Sequence, residues 1–259
     1  MDLAGIVEDV GSGVKDFKIG DRVYSTLSEC GAYADYQVSE DRNVFHLPSQ
    51  LTFQEGAGIG CVYFTAIRSL FHIANCKAGE TVFVHGASGG RIAFVQIARA
   101  HGMQVIGTAG TAEGMEIVKK QGAHYVFNHR EDGYMGKIKE LTDGKGVDAI
   151  MEMNAHLHLV TDLDILSNGG RLVVVGRYGN IAINPRDIML KEAKILGVML
   201  PNSTTAERRD IGAAINDGIQ KGWLRPLIWK EFPLKEASEA HRLMANGHGA
   251  KGRIVLNMI

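Results

Sequence analysis

The stretch Thr81-Val82-Phe83-Val84-His85-Gly86-Ala87-Ser88-Gly89-Gly90-Arg91-Ile92-Ala93 decides the fold. Its first four residues are an apolar, β-rich run, the glycines open a tight corner, and the apolar spacing from Ile92 to Ala100 is that of a helix. Glycines at such a corner let the backbone approach a pyrophosphate, whose charge is met by free N–H groups and the positive end of the helix. A glycine loop alone marks any tight strand-to-helix turn, so its meaning depends on what surrounds it.

Downstream the alternation continues. Strands are predicted at Gln104 to Thr108, Tyr125 to Phe127, Val147 to Met151, Arg171 to Val175 and Ile195 to Val198. Helices are predicted near Ala112 to Gln121, Tyr134 to Leu141 and Leu157 to Leu166. With Thr81 to Val84 this makes six strands, the pattern of an α/β fold with a Rossmann doubly wound parallel sheet.

Upstream, Ala4 to Val10 and Ala32 to Val38 alternate as short antiparallel strands. After Pro201, Thr205 to Gln220 reads as an amphipathic helix stopped by Gly222, followed by a strand-like piece around Leu227, a helix Lys235 to Met244 and a strand Arg253 to Leu256. The early β-rich region is too small to build its own core, so the tail is expected to return to it. The expected division is a β-rich domain of residues 1–53 completed by 225–259, and a Rossmann domain of residues 54–224.

Composition agrees with a globular chain. Of 259 residues 32 are glycine and only 5 proline, with 45% apolar, which excludes collagen-like and disordered chains. Lys+Arg 28 against Asp+Glu 29 gives no global field for nucleic acid or an anionic membrane. Cys30, Cys61 and Cys76 are odd in number and far apart, as reduced thiols are. No apolar run reaches the roughly 18 residues of a membrane span, and Met1-Asp2-Leu3 does not open a signal peptide. A soluble, cytoplasmic protein is expected.

The second strand ends Gly107-Thr108-Ala109-Gly110-Thr111, without the Asp or Glu that would bind a ribose 2′-hydroxyl in an NAD enzyme. That points to NADP: Gly110 leaves room for a 2′-phosphate, and His129 with Arg130 supplies positive or donor groups. The alternative for His129 and Arg130 is a solvated loop.

Several motifs occur in a familiar order: Gly20-Asp21-Arg22-Val23, Gly31-Ala32-Tyr33-Ala34-Asp35-Tyr36, Tyr63-Phe64-Thr65-Ala66, the phosphate loop, Asn184-Pro185-Arg186-Asp187 and Gly197-Val198. Over essentially the whole chain the sequence resembles the quinone oxidoreductase or zeta-crystallin branch of the medium-chain dehydrogenases. The resemblance implies a partial GroES-like domain beside the Rossmann domain, zinc-free chemistry with NADPH, a quinone or enone substrate, and a homo-oligomer, dimer or tetramer. It implies that Ser88, Gly89, Gly90 and Arg91 line the pyrophosphate and that Gly110 and His129 face the adenosine phosphate. It places His158 near the cofactor, and Val175, Gly176, Arg177 and Tyr178, with Val198, Met199 and Leu200, toward the nicotinamide.

Two departures stand out. Met1-Asp2-Leu3-Ala4-Gly5 aligns with the middle of the family's catalytic domain, so several dozen N-terminal residues are expected to be absent. Relatives also carry a third glycine and one more residue where Arg91-Ile92-Ala93 stands, and deleting one residue turns a helix face by about 100°. Either the loop absorbs the slip, with Ala93 in the small-residue place, or cofactor affinity falls.

Hydride transfer to a quinone demands positioning and oxyanion stabilisation rather than a strong acid or base. Tyr63 and Thr65 could touch nicotinamide or substrate; the alternative is ordinary helix packing. No metal site is expected: Cys61 is one ligand, and His156-Leu157-His158 is a bare His-x-His. Ser88 lacks a nucleophile elbow, which argues against hydrolysis. The competing class is a catalytically weak, crystallin-like structural or RNA-binding protein that retains the nucleotide site, although no arginine-rich segment supports RNA.

Overall fold

The computed structural model describes residues 2–27, 31–176, 178–245 and 251–258. The chain divides into two compact units, Met1–Phe64 with Leu200–Ile259, and Thr65–Met199.

The first unit opens with β1 (Leu3–Ile6), β2 (Arg22–Ser25) and β3 (Val44–His46), which pair antiparallel in that order. Next come α1 (Phe53–Ala57) and the start of α2 (Gly60–Ile67). Thr52 begins α1 with a reciprocal cap: Glu55 N–H donates to its hydroxyl at 3.2 Å, and its own N–H donates to the Glu55 carboxylate at 2.8 Å.

The second unit carries β4 (Thr81–Val84), α3 (Ile92–Ala100), β5 (Gln104–Ala109), α4 (Ala112–Lys120), β6 (Tyr125–Asn128), α5 (Tyr134–Leu141), β7 (Val147–Glu152), α6 (Ala155–Ile165), β8 (Leu166–Val174), α7 (Pro185–Lys191) and β9 (Lys194–Gly197). Its strands form one parallel sheet in the order β6-β5-β4-β7-β8-β9, the doubly wound order with a switch point between β4 and β7. Strands buried on both faces need apolar runs, and Phe83, Ile106, Ile150 and Leu172 are fully buried in one core. Each of the six expected strands is present.

The first unit resumes with α8 (Thr205–Gln220), β10 (Ile228–Pro233), α9 (Ala237–Ala245) and β11 (Arg253–Asn257), β10 and β11 pairing parallel. Tyr24 stacks on Phe45 at 5.4 Å and Phe45 meets Phe64 at 4.9 Å, while α8 buries Ile211, Ile215 and Ile219. The buried carboxylate of Asp2 accepts the Cys61 N–H at 2.9 Å and lies 3.4 Å from the Arg253 guanidinium.

Two N-terminal expectations need correction. Ala32 to Val38 is not a strand, and β1 stops at Ile6 instead of reaching Val10. Tyr36 is 77% exposed and Val38 94%, so the alternation there has no core face to bury, and alternation without a partnering ladder does not make a strand.

Candidate functional site

The corner after β4 is built from its own backbone. Gly86 takes φ +54, which a side chain rarely adopts. Its N–H donates to the Thr108 hydroxyl at 2.8 Å, and the Ala87 N–H donates to the Thr108 carbonyl at 2.6 Å. The helix then starts at Ile92, whose N–H returns to Gly89 O at 3.1 Å, while Ala93 N–H returns to Gly90 O at 3.3 Å. Ala93, the second residue of the helix, is fully buried. Among the described residues the successive N–H groups of Ser88, Gly89, Gly90 and Arg91 find no acceptor within the protein. Four unpaired donors at the start of a nine-residue helix form an anion cradle.

Arg91 adds a cation to that cradle. Its Nη1 donates to the Gly86 carbonyl at 3.0 Å, and burial lowers the pKa of its guanidinium, against the pull of Glu152. A Cβ at Gly86 would lie 2.7 Å from the same nitrogen, so a side chain there would be strained by φ +54 and would displace the Arg91 guanidinium.

At the end of β5, Thr111 caps α4 by accepting the Gly114 N–H at 3.0 Å, leaving Gly110 at an open corner. A Cβ on Gly110 would lie 2.8 Å from both Arg130 Nε and His129 Nε2. The structure therefore brings Gly110, His129 and Arg130 together. His129 also meets the Thr108 hydroxyl at 3.3 Å. Desolvation, aided by neighbouring His85 and Arg130, lowers the pKa of His129, so its imidazole is held neutral and Arg130 carries the charge.

The segment after β8 runs along the end of β7. Val175 N–H donates to Glu152 O at 2.8 Å, and a Cβ at Gly176 would meet the Met153 carbonyl at 2.7 Å. Tyr178 is 86% exposed, its N–H 3.4 Å from His156 Nδ1. Arg177, expected beside them, lies outside the described residues. After β9, the Val198 N–H donates to Val174 O at 3.2 Å, and the Met199 carbonyl accepts Arg68 Nη1 at 3.4 Å. Leu200 is buried and belongs to the first unit.

Tyr63 is 2% exposed, and burial raises its phenol pKa above the usual range. Thr65 is half-buried, its carbonyl accepting the Ser69 hydroxyl at 2.7 Å. Cys61 joins no group of three metal donors among the described residues.

The residues that sequence reading missed are Glu152 and Asp162. At the carboxyl ends of β4 and β7, His85 Nε2 lies 2.7 Å from Asp162 Oδ1 and 3.3 Å from Glu152 Oε2, and His158 Nδ1 lies 3.5 Å from Glu152 Oε1. Glu152 and Asp162 are fully buried. Desolvation would raise Glu152, but His158 and His85 beside it hold its pKa below the ordinary value. Desolvation and the neighbouring Glu152 charge raise Asp162. Burial pushes His85 down to about 4, with the His158 and Arg91 charges acting the same way against Glu152, whereas proximity to Glu152 raises His158 despite its desolvation. The legible signals were a carboxylate closing the apolar run Ala149-Ile150-Met151-Glu152 and an i, i+4 pair, His158 and Asp162, on one helix.

Comparison with known proteins follows the same outline. The family model for zinc-binding dehydrogenases matches residues 92–215, and that for the alcohol dehydrogenase GroES-like domain matches residues 1–66. The quinone oxidoreductase of Homo sapiens is 50% identical over 256 residues, 98% of this chain and 78% of the relative. The 2-haloacrylate reductase of Burkholderia sp is 30% identical over 267 residues, 99% of this chain and 79% of the relative. Among solved structures, Escherichia coli quinone oxidoreductase complexed with NADPH matches with a TM-score of 0.89 at 28% identity, over 99% of this chain and 81% of that one. A mycobacterial protein complexed with NADPH matches with a TM-score of 0.90 at 27% identity, over 99% and 81%.

Proposed function

Since this chain belongs to the quinone oxidoreductase family of the medium-chain dehydrogenases, we infer that it is an NADPH-dependent, zinc-independent reductase of quinones or related conjugated carbonyls. The observation that carries the reading is the run of four unpaired N–H groups from Ser88 to Arg91, next to a β5 end that bears Gly110, His129 and Arg130 and no acid. Bound NADPH supplies the hydride.

The protein's part is binding and orientation. The N–H groups of Ser88, Gly89, Gly90 and Arg91, with the Arg91 guanidinium, take the pyrophosphate. Gly110 makes room for the 2′-phosphate, which Arg130 and the neutral His129 hold. His158, with Val175, Gly176 and Tyr178, and then Val198, Met199 and Leu200, line the nicotinamide half; support comes from their place after successive strands, where open α/β sheets bind ligands. Burial of Tyr63 favours packing over substrate contact for that side chain.

No helix among the described residues is long and apolar enough to cross a membrane. A cytoplasmic location is supported by Cys61 and Cys76, which join no disulfide among the described residues. A homo-oligomer is supported by β9, which pairs on one side only among the described residues.

Titration of the purified protein with NADPH, followed by nucleotide fluorescence, together with steady-state quinone-dependent NADPH oxidation, tests the reading. Saturable binding and turnover are expected; no binding at high micromolar NADPH would overturn it.

A further inference from the structure

His85, Glu152, His158 and Asp162 form a proton-sharing cluster beside the start of the phosphate loop. His85 Nε2 lies between two carboxyl groups, 2.7 Å from Asp162 Oδ1 and 3.3 Å from Glu152 Oε2. Glu152 shares a side-chain hydrogen bond with Asp162, accepts the Asn154 N–H, and lies 3.5 Å from His158 Nδ1. Two fully buried carboxyl groups in contact do not both ionise, so they hold one proton and one negative charge between them.

One imidazole at a time can answer that charge. The His85 and His158 rings stack at 4.5 Å and 5° from parallel, so two protonated rings would lie face to face. His85 is 3% exposed, and burial pushes its pKa down to about 4. His158 is 31% exposed on α6 and its hydrogen bond to Glu152 raises its pKa, so it is the member that exchanges a proton with solvent. The opposing charge is Arg91, whose guanidinium is attracted by Glu152 and disfavours protonation of His158. Arg91 is also the cation of the cradle, tied to the Gly86 carbonyl at 3.0 Å.

We propose that His158 takes up a proton when the phosphates of a nucleotide fill the cradle, because they offset the Arg91 charge that opposes an imidazolium there. The inference rests on the NADPH reading and adds its regulation by pH. Linkage makes the effect reciprocal: a rise of about one unit in the His158 pKa on nucleotide binding means that a protonated His158 strengthens the nucleotide about tenfold. Affinity therefore falls as pH rises through the His158 titration. Tyr134 of α5 faces Glu152 and Asp162, His129 after β6 faces His85 and His158, and Tyr178 after β8 acts on Arg91. Arg171 of β8 is engaged with Glu80, and Lys191 of α7 with the carbonyls of Asp164 and Leu166.

The test is a pH titration of the histidine ring signals of the full chain by long-range ¹H–¹⁵N NMR, with and without saturating NADPH. His158→Asn, or His158→Gln should the first not fold, identifies the His158 signal and separates it from His129 and from the nucleotide's own 2′-phosphate. The His158 pKa is expected to rise by about one unit on NADPH binding. In the nucleotide-free protein Arg91→Gln is expected to raise it by a similar amount, since the same charge is removed. NADPH binding that leaves the His158 pKa unchanged or lower, or an unchanged value in Arg91→Gln, overturns the inference and leaves the NADPH reading standing. Absence of NADPH binding across the titration overturns both.

Discussion

The Arg91 guanidinium donates to the Gly86 carbonyl at 3.0 Å, tying the residue before the helix α3 back to the glycine of its corner. Arg91 thus brings a positive charge into the loop that carries the unpaired N–H groups of residues 88–91.

Gly86→Ala is therefore expected to cost about 1–2 kcal/mol in chemical denaturation, from φ +54 alone, and to weaken NADPH through displacement of Arg91. In an Arg91→Ala background the steric share vanishes, so a double-mutant cycle should show coupling between the two sites. Additive losses would mean that Arg91 does not occupy the corner in solution.

Arg130→Ala is expected to weaken NADPH about tenfold or more, the worth of one or two charge-assisted hydrogen bonds, while leaving NADH binding unchanged. Gly110→Glu should reverse the preference by restoring an acid at the end of β5. Comparing the two nucleotides by fluorescence titration checks both, and equal losses for both would place Arg130 elsewhere.

The histidines give opposite pH signatures. The folded pKa of His85 is lowered by burial from 6.5 to about 4, so below pH 6.5 the unfolded chain takes a proton that the folded chain refuses. Stability contributed by this site should fall as pH drops from about 6.5 to about 4, by on the order of 3 kcal/mol, and His85→Gln should flatten that limb. The folded pKa of His158 is raised by Glu152, so its contribution is full below pH 6.5 and is lost as pH rises through the higher folded value. Unfolding midpoints of His85→Gln and His158→Asn across pH 4 to 9 should diverge from the parent at opposite ends.

In the first unit, a Cβ on Gly212 would lie 2.5 Å from the Phe45 ring. Gly212→Ala should gain up to about 1 kcal/mol in helix propensity and lose about 1–3 kcal/mol in overpacking, for a net loss in thermal unfolding. A net gain would mean that the ring has room to move.

The parallel sheet was legible because its strands carry apolar runs at even spacing, as at Thr81–Val84 and Val147–Glu152, and burial on both faces tolerates nothing else. Ala32 to Val38 misled because alternation reports a face without reporting what covers it, and here Val38 meets solvent. Gly110, His129 and Arg130 were legible together since each follows a strand end in adjacent strands, and strand order converts that into proximity.

By itself the sequence determined the doubly wound sheet, the phosphate corner and the missing acid after β5, because these rest on local periodicity, glycine freedom and side-chain chemistry. Only the tertiary structure decided that Ala93 is buried, that Arg91 turns back on Gly86, and that His85, Glu152, His158 and Asp162 meet. His85 and Asp162 stand 77 positions apart, and their 2.7 Å contact exists because β4 pairs with β7 and α6 packs against β7.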